Sequence, residues 1–159
     1  MLELALQIVN MLRSSGLTLG VTESATGGLI SHTITDVQGS SDVYKGSVTA
    51  YANQTKLDVL GVREKTLLRY GAVSSQVAEE MALGGCMVLG TDICVSDTGI
   101  AGPGGATSEK PVGLFYIGLA HHLAVYSQKH IFTGERGQNK ELATKTVLEW
   151  LKTYLQNLE

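Results

Sequence analysis

Proline is scarce in this chain. There are two in 159 residues, and no Pro/Ser-rich stretch divides the sequence. Cysteine is equally scarce. Cys86 and Cys94 are too few for a disulfide framework, and both lie in apolar stretches, so they read as buried free thiols of a cytosolic protein. His32, His121, His122 and His130 show no metal-ligand spacing with those cysteines, which argues against a structural zinc site and leaves no metal expected. Charge is low too: 17% of residues, against the usual ~25%. The formal net charge is −3, so there is no basic footprint for nucleic acid or an anionic membrane. No apolar run approaches the ~18–20 residues of a membrane span. The opening Met1-Leu2-Glu3-Leu4 has an early acid and no basic segment, unlike a signal peptide. The expectation is a cytoplasmic protein with no membrane or nucleic-acid partner. Three motifs are also missing. Without Gly-Lys-Ser/Thr there is no Walker loop, without Gly-x-Gly-x-x-Gly no dinucleotide fingerprint, and without Gly-x-Ser-x-Gly no nucleophile elbow.

Glycine is abundant, at 19 of 159 residues against a usual ~7%. The length fits one domain, 1–159, at about 100–200 residues per domain. Leu2 to about Ser14 has the apolar spacing of an amphipathic helix, stopped by Ser14-Ser15-Gly16. Leu17–Thr22 reads as a strand, 23–28 as a tight turn and Leu29–Val37 as a helix. Gly39-Ser40-Ser41 reads as a loop and Val43–Tyr51 as a strand. A helix capped at Asn53 or Thr55 then runs to Leu60, and another covers Glu64–Arg69. Ser74 caps a helix running to Leu89, and Asp92–Ser96 is a buried strand. The glycine loop 98–105 follows. Val112–Ala120 and Leu123–Phe132 form a hairpin turning at His121-His122, and a loop over 133–140 leads to a last helix, Glu141–Leu155. Helices alternating with strands, then a hairpin, predict a three-layer α/β/α sandwich with a mixed, mostly parallel sheet. Ligands bind such sheets beyond the carboxyl ends of the strands, where both glycine loops are expected.

Glycines let backbone N–H groups approach a ligand, and a helix start offers unpaired donors to an anion. Ser24, Thr26, Gly27 and Gly28 in the first loop could therefore bind an anion, or simply form a capped turn. In the second loop, Thr98, Gly99, Gly102, Gly104 and Gly105 could cradle a phosphate or a carbonyl oxygen, or simply supply positive φ. A serine attacks only if a base takes its proton, and a buried lysine can do so. Ser24, Ser40 and Ser41 all qualify by chemistry, with Lys56 as base and Tyr51 as relay. Blind, Lys56 is more often a solvated helix lysine. Arg136 could clamp a phosphate or carboxylate, or be a solvated loop arginine. The paired carboxylates are unremarkable, with Asp92 and Asp97 merely flanking a strand.

Five segments together resemble the CinA C-terminal domain family. They are Thr22-Glu23-Ser24-Ala25-Thr26-Gly27-Gly28; Gly39-Ser40-Ser41; Tyr51-Ala52-Asn53-Gln54-Thr55-Lys56 with Leu60-Gly61-Val62; Gly71-Ala72-Val73-Ser74; and Thr98-Gly99-Ile100-Ala101-Gly102-Pro103-Gly104-Gly105 through Glu109-Lys110-Pro111-Val112-Gly113. The resemblance implies an α/β/α fold, a homodimer, and metal-independent amidohydrolase activity on a pyridine mononucleotide. Nicotinamide mononucleotide (NMN) is converted to nicotinate mononucleotide and ammonia, with no cofactor. It implies a serine nucleophile at Ser41, a lysine base at Lys56 and Tyr51 beside them. Ser24, Thr98 and Arg136 match further substrate-side positions. Ala25 stands where many members have cysteine, Ala50 and Ala52 where threonine and serine are usual, and Lys140 where arginine is frequent. Longer members carry an N-terminal nucleotide-hydrolysing domain that 1–159 does not match, so that metal-dependent activity is not expected of it. The lost hydroxyls at 50 and 52 motivate an alternative, a nucleotide-binding module without turnover. Another alternative is an amidase acting on a different small carboxamide.

Overall fold

The computed structural model describes residues 1–158. Helix α1 (Leu2–Ser15) buries Ala5, Ile8, Val9 and Leu12 and ends at Gly16 in the left-handed conformation. Strand β1 (Leu19–Glu23) is buried along its whole length. Helix α2 (Leu29–Thr35) leads through a 3-10 turn at Ser40–Asp42 into β2 (Tyr44–Thr49). Two short helices follow, α3 (Asn53–Asp58) and α4 (Glu64–Tyr70). Helix α5 (Ser75–Leu89) starts where the Ser74 side chain accepts from the Val77 N–H. Strand β3 (Ile93–Gly99) and the hairpin β4 (Leu114–His121) and β5 (Ala124–Ile131) complete the sheet, and α6 (Arg136–Gln156) follows.

The sheet order is β2-β1-β3-β4-β5. β1 pairs in parallel with both β2 and β3, whereas β4 is antiparallel to its two neighbours. The expected α/β/α sandwich with a mixed sheet is therefore what the chain forms. α1, α2 and α6 cover one face over a core that includes Ile8, Leu12, Val21, Ile34, Val95 and Leu151. α5 covers the other face, where Thr22 Oγ1 and Ser96 Oγ donate to the carbonyls of Met81 and Ala78. α5 lies close to the sheet and to the α3–α4 link because its contacts are glycines. A Cβ on Gly84 would run into the Leu60 carbonyl, and one on Gly85 into Cys94 and Thr22. Part of the glycine excess is thus packing.

Two boundaries differ in ways that matter. The last helix begins at Arg136, five residues before the expected Glu141. Gly137 and a polar run hide the start, but Glu135 and Gln138 form a reciprocal capping box. Strand β3 extends through Gly99, so Thr98 and Gly99 are strand residues rather than loop residues.

Candidate functional site

From β1 the chain leaves toward β2 on one side, and from β3 it leaves toward β4 on the other. The crevice beyond the carboxyl ends of these two strands is therefore the topological switch point of the sheet. Thr22 pairs with Ser96, so Glu23 and Asp97 end the paired stretch side by side on the face toward α2. Both are fully buried. Glu23 accepts the N–H groups of Gly28, Ile30 and Ser31, which makes its carboxyl group the cap of α2. Gly28, at φ 104, allows the turn that brings those donors round. Asp97 accepts the N–H groups of Ser24 and Thr26, each at 3.1 Å. Burial, with the charge of Glu23 acting in the same direction, pushes the Asp97 carboxyl up to about 6. The turn 23–28 is thus held by carboxyl groups on two adjacent strands.

Lys56, on α3, is 1% exposed. Its Nζ lies 3.0 Å from Ser24 Oγ, 2.8 Å from the Ala50 carbonyl oxygen and 3.3 Å from that of Tyr51. A neutral amine has two hydrogens and one lone pair. The two carbonyls take the hydrogens, and the lone pair is left facing the Ser24 hydroxyl. Burial pushes the Lys56 ammonium below its ordinary range, while the Asp97 charge pulls the other way. Serine and lysine therefore meet with the geometry of a nucleophile and its base.

The partner is Ser24, not the expected Ser41. Ser41 is exposed in the 3-10 turn ahead of β2. The first residue of β2, Tyr44, registers with Leu19 at the start of β1, whereas Ser24 follows the end of β1. At about 3.3 Å per residue, the length of β1 separates the two serines. Ser40 is buried in that same turn and is equally remote from Lys56. Tyr51 also differs from expectation. Its backbone carbonyl touches Lys56, but its phenol, on an exposed side chain, accepts from Arg136 Nη2 at 3.0 Å.

Arg136, in the first turn of α6, also donates from Nη1 to the Gly102 carbonyl at 2.8 Å. It ties the second glycine loop to Tyr51 at the mouth of the site. Asn139, fully buried one turn on, donates to the carbonyls of Ala101 and Gly134 and accepts the Gly134 N–H. Lys140 reaches to the exposed Gly27. Among the described residues, the N–H groups of Ala25, Gly27, Gly102, Gly104 and Gly105 make no hydrogen bond. Thr26 and Thr98 are committed elsewhere. The Thr26 hydroxyl sits between Glu23 and Asp97, and the Thr98 hydroxyl donates to the Ala72 carbonyl. Gly99 faces the Phe115 ring closely and serves packing. A groove of about 650 Å³ between Asp58–Arg63 and α5 lies apart from Ser24 and Lys56.

Sequence reasoning missed Asp97, Glu23 and Asn139. For the two acids a signal existed. They share strand parity with the inward-facing Val95 and Val21, so each is an acid in a core-facing position.

The sequence matches the CinA C-terminal domain over residues 1–155. The chain belongs to the CinA C-terminal domain family. A CinA-like protein of Syntrophomonas wolfei is 47% identical over 146 residues, 92% of this chain and 35% of that one. A CinA-like protein of Salinibacter ruber is 50% identical over 138 residues, 87% of this chain and 34% of that one. The chain thus spans about a third of the length of these curated CinA relatives. Among solved structures, the competence/damage inducible protein CihA from Agrobacterium tumefaciens superposes with a TM-score of 0.92 at 38% identity, covering 98% of this chain and 94% of that one. A CinA superfamily protein from Klebsiella pneumoniae gives 0.95 at 27% identity, with 98% of both chains covered. No described helix of this CinA-family chain is long and apolar enough to cross a membrane.

Proposed function

We propose that this CinA-family domain is an amidohydrolase that deamidates a pyridine mononucleotide, with NMN as substrate and nicotinate mononucleotide and ammonia as products. The observation that carries the reading is the buried Lys56 Nζ at 3.0 Å from Ser24 Oγ, with its two carbonyl partners already supplied. Lys56 takes the Ser24 proton as Ser24 Oγ attacks the carboxamide carbon. The unpaired N–H groups of Ala25 and Gly27 are within the same turn and supply donors to the developing oxyanion, each worth about 2.7–4 kcal/mol in comparable sites. The C–N bond breaks, Lys56 returns its proton to the departing nitrogen, and ammonia leaves. Water then attacks the Ser24 ester, again with Lys56 as base, and frees the carboxylate and the serine. Arg136, Lys140 and the N–H groups of Gly102, Gly104 and Gly105 offer the 5′-phosphate cations and donors at the rim. We read Ser41 as outside this chemistry, and the working form as a homodimer.

The test is ammonia release from NMN by the purified chain, in EDTA, with nicotinamide as the control that lacks the phosphate. Release from NMN and far less from nicotinamide supports the reading. Equal rates would remove the phosphate subsite. Thermal stabilisation by NMN without ammonia would favour the binding module instead.

A further inference from the structure

Thr26 Oγ1 lies 2.6 Å from Glu23 Oε2 and 2.5 Å from Asp97 Oδ1. A threonine hydroxyl has one hydrogen, so it can donate to only one of two carboxyl groups and must accept from the other. An ionised carboxylate has nothing to donate. One of the two acids therefore carries a proton. Glu23 Oε2 already accepts two N–H groups, from Gly28 and Ile30, and its Oε1 accepts a third from Ser31. Asp97 accepts fewer, one on each oxygen from Ser24 and Thr26, so the proton falls to Asp97, buried in the strand beside Glu23. The chain that balances runs from Asp97 O–H to Thr26 Oγ1, and from Thr26 O–H to Glu23.

We propose that Asp97 holds a proton when the site is working: the neutral carboxyl completes the Asp97–Thr26–Glu23 chain, fixes the turn that presents Ser24, and leaves Lys56 with no opposite charge beside it. Asp97 is thus a positioning residue for the Ser24–Lys56 pair, and its effect on turnover rests on the function proposed above. The proton count explains why its charge matters. With one proton shared between the two groups, Lys56 amine with Asp97 acid is competent, whereas Lys56 ammonium with Asp97 carboxylate has no lone pair for Ser24. The groups that face Asp97 are few. Glu23 comes from β1 and Lys56 from α3, while β4 places Ile117 in register with it. Lys140 of α6 stands further off, at Gly27. Burial and the Glu23 charge both raise the Asp97 carboxyl, in agreement with the hydrogen count.

Infrared spectra of the whole chain without ligand read the proton directly. Wild type is expected to show a carboxylic-acid carbonyl band between about pH 5 and 7 that is missing in Asp97→Asn. Thr26→Val moves that band to higher frequency, because the acid loses its acceptor, and this variant serves if Asp97→Asn fails to fold. Absence of any acid band over that range in wild type overturns the proposal. In kinetics, wild type is expected to show a bell-shaped pH–rate profile, falling on the alkaline side as Asp97 ionises. Asp97→Asn keeps the acid limb in place and loses the alkaline fall, while its rate drops by about 3- to 10-fold because an amide accepts fewer of the two N–H groups. An acid limb displaced downward by about one pH unit or more would instead make Asp97 the counter-ion of the Lys56 ammonium, contradicting the proposal. If wild type releases no ammonia from NMN, the function reading fails, and the infrared bands still decide the state of Asp97.

Discussion

Lys56 is a buried cation site without a carboxylate in hydrogen-bond contact, and this sets its behaviour with pH. Its ammonium is pushed below the ordinary lysine range by burial, so the unfolded chain binds more protons than the native one between the lowered value and 10.5. Stability should therefore rise with pH through that window, and the burial cost is full below it. Lys56→Met removes the cost. We expect it to raise Tm most at the acid end of the range, by thermal melts across pH, while ammonia release falls by about 10³-fold or more. Asp97 has the opposite sign. Its carboxyl is raised from 3.8 to about 6, so the native state binds the extra proton and stability falls as pH rises through that interval. Asp97→Asn should lose this fall, so that its stability relative to wild type rises from about pH 4.5 to about pH 8, on top of a pH-independent cost for the lost N–H acceptor. At this scale the residue types were legible in the sequence and their pairing was not. Ser24, Ser40 and Ser41 are equal as hydroxyls. Strand register decides between them, by placing Ser24 at the carboxyl end of β1 and the other two at the opposite end of the sheet.

Two elements position the site, and each can be loosened separately. The N-terminus of α6 carries the Glu135–Gln138 capping box, Arg136 and the buried Asn139. Glu135→Ala should cost about 1 kcal/mol of stability by denaturant unfolding, as other lost caps do. Asn139→Ala should cost more, about 2–3 kcal/mol, because the Ala101 and Gly134 carbonyls and the Gly134 N–H lose a buried partner. It frees the second glycine loop as well, so KM for NMN should rise with it. Helix α5 tests the packing role of glycine. Gly84→Ala drives a methyl group into the Leu60 carbonyl, and a loss of about 1–3 kcal/mol is expected. Most elements were readable from apolar spacing and caps, as with α1 and the Ser74 start of α5. The α6 start was not, because a capping box followed by Gly137 and a polar run has no apolar period to announce it.

Over the whole molecule, the glycine surplus divides into two uses. Gly84, Gly85 and Gly99 let helix, sheet and aromatic ring approach closely. Gly27, Gly28, Gly102, Gly104 and Gly105 shape the rim of the switch-point crevice, which with Arg136 and Lys140 is the cationic, donor-rich edge of a molecule of formal net charge −3. The alternation of helices and strands was enough to predict the sandwich, since it leaves few ways to cover a sheet on both faces. It could not predict that two carboxyl groups meet under α2, because that depends on β1 and β3 being neighbours although residues 24–92 lie between them in sequence. The central claim is that Ser24, through Lys56, performs the attack. It is tested most directly by the rate of ammonia release from NMN for Ser24→Ala and Ser41→Ala beside wild type. The account predicts a loss of about 10³-fold or more for Ser24→Ala and a rate near wild type for Ser41→Ala. The reverse pattern, with Ser41→Ala inactive and Ser24→Ala active, would contradict it.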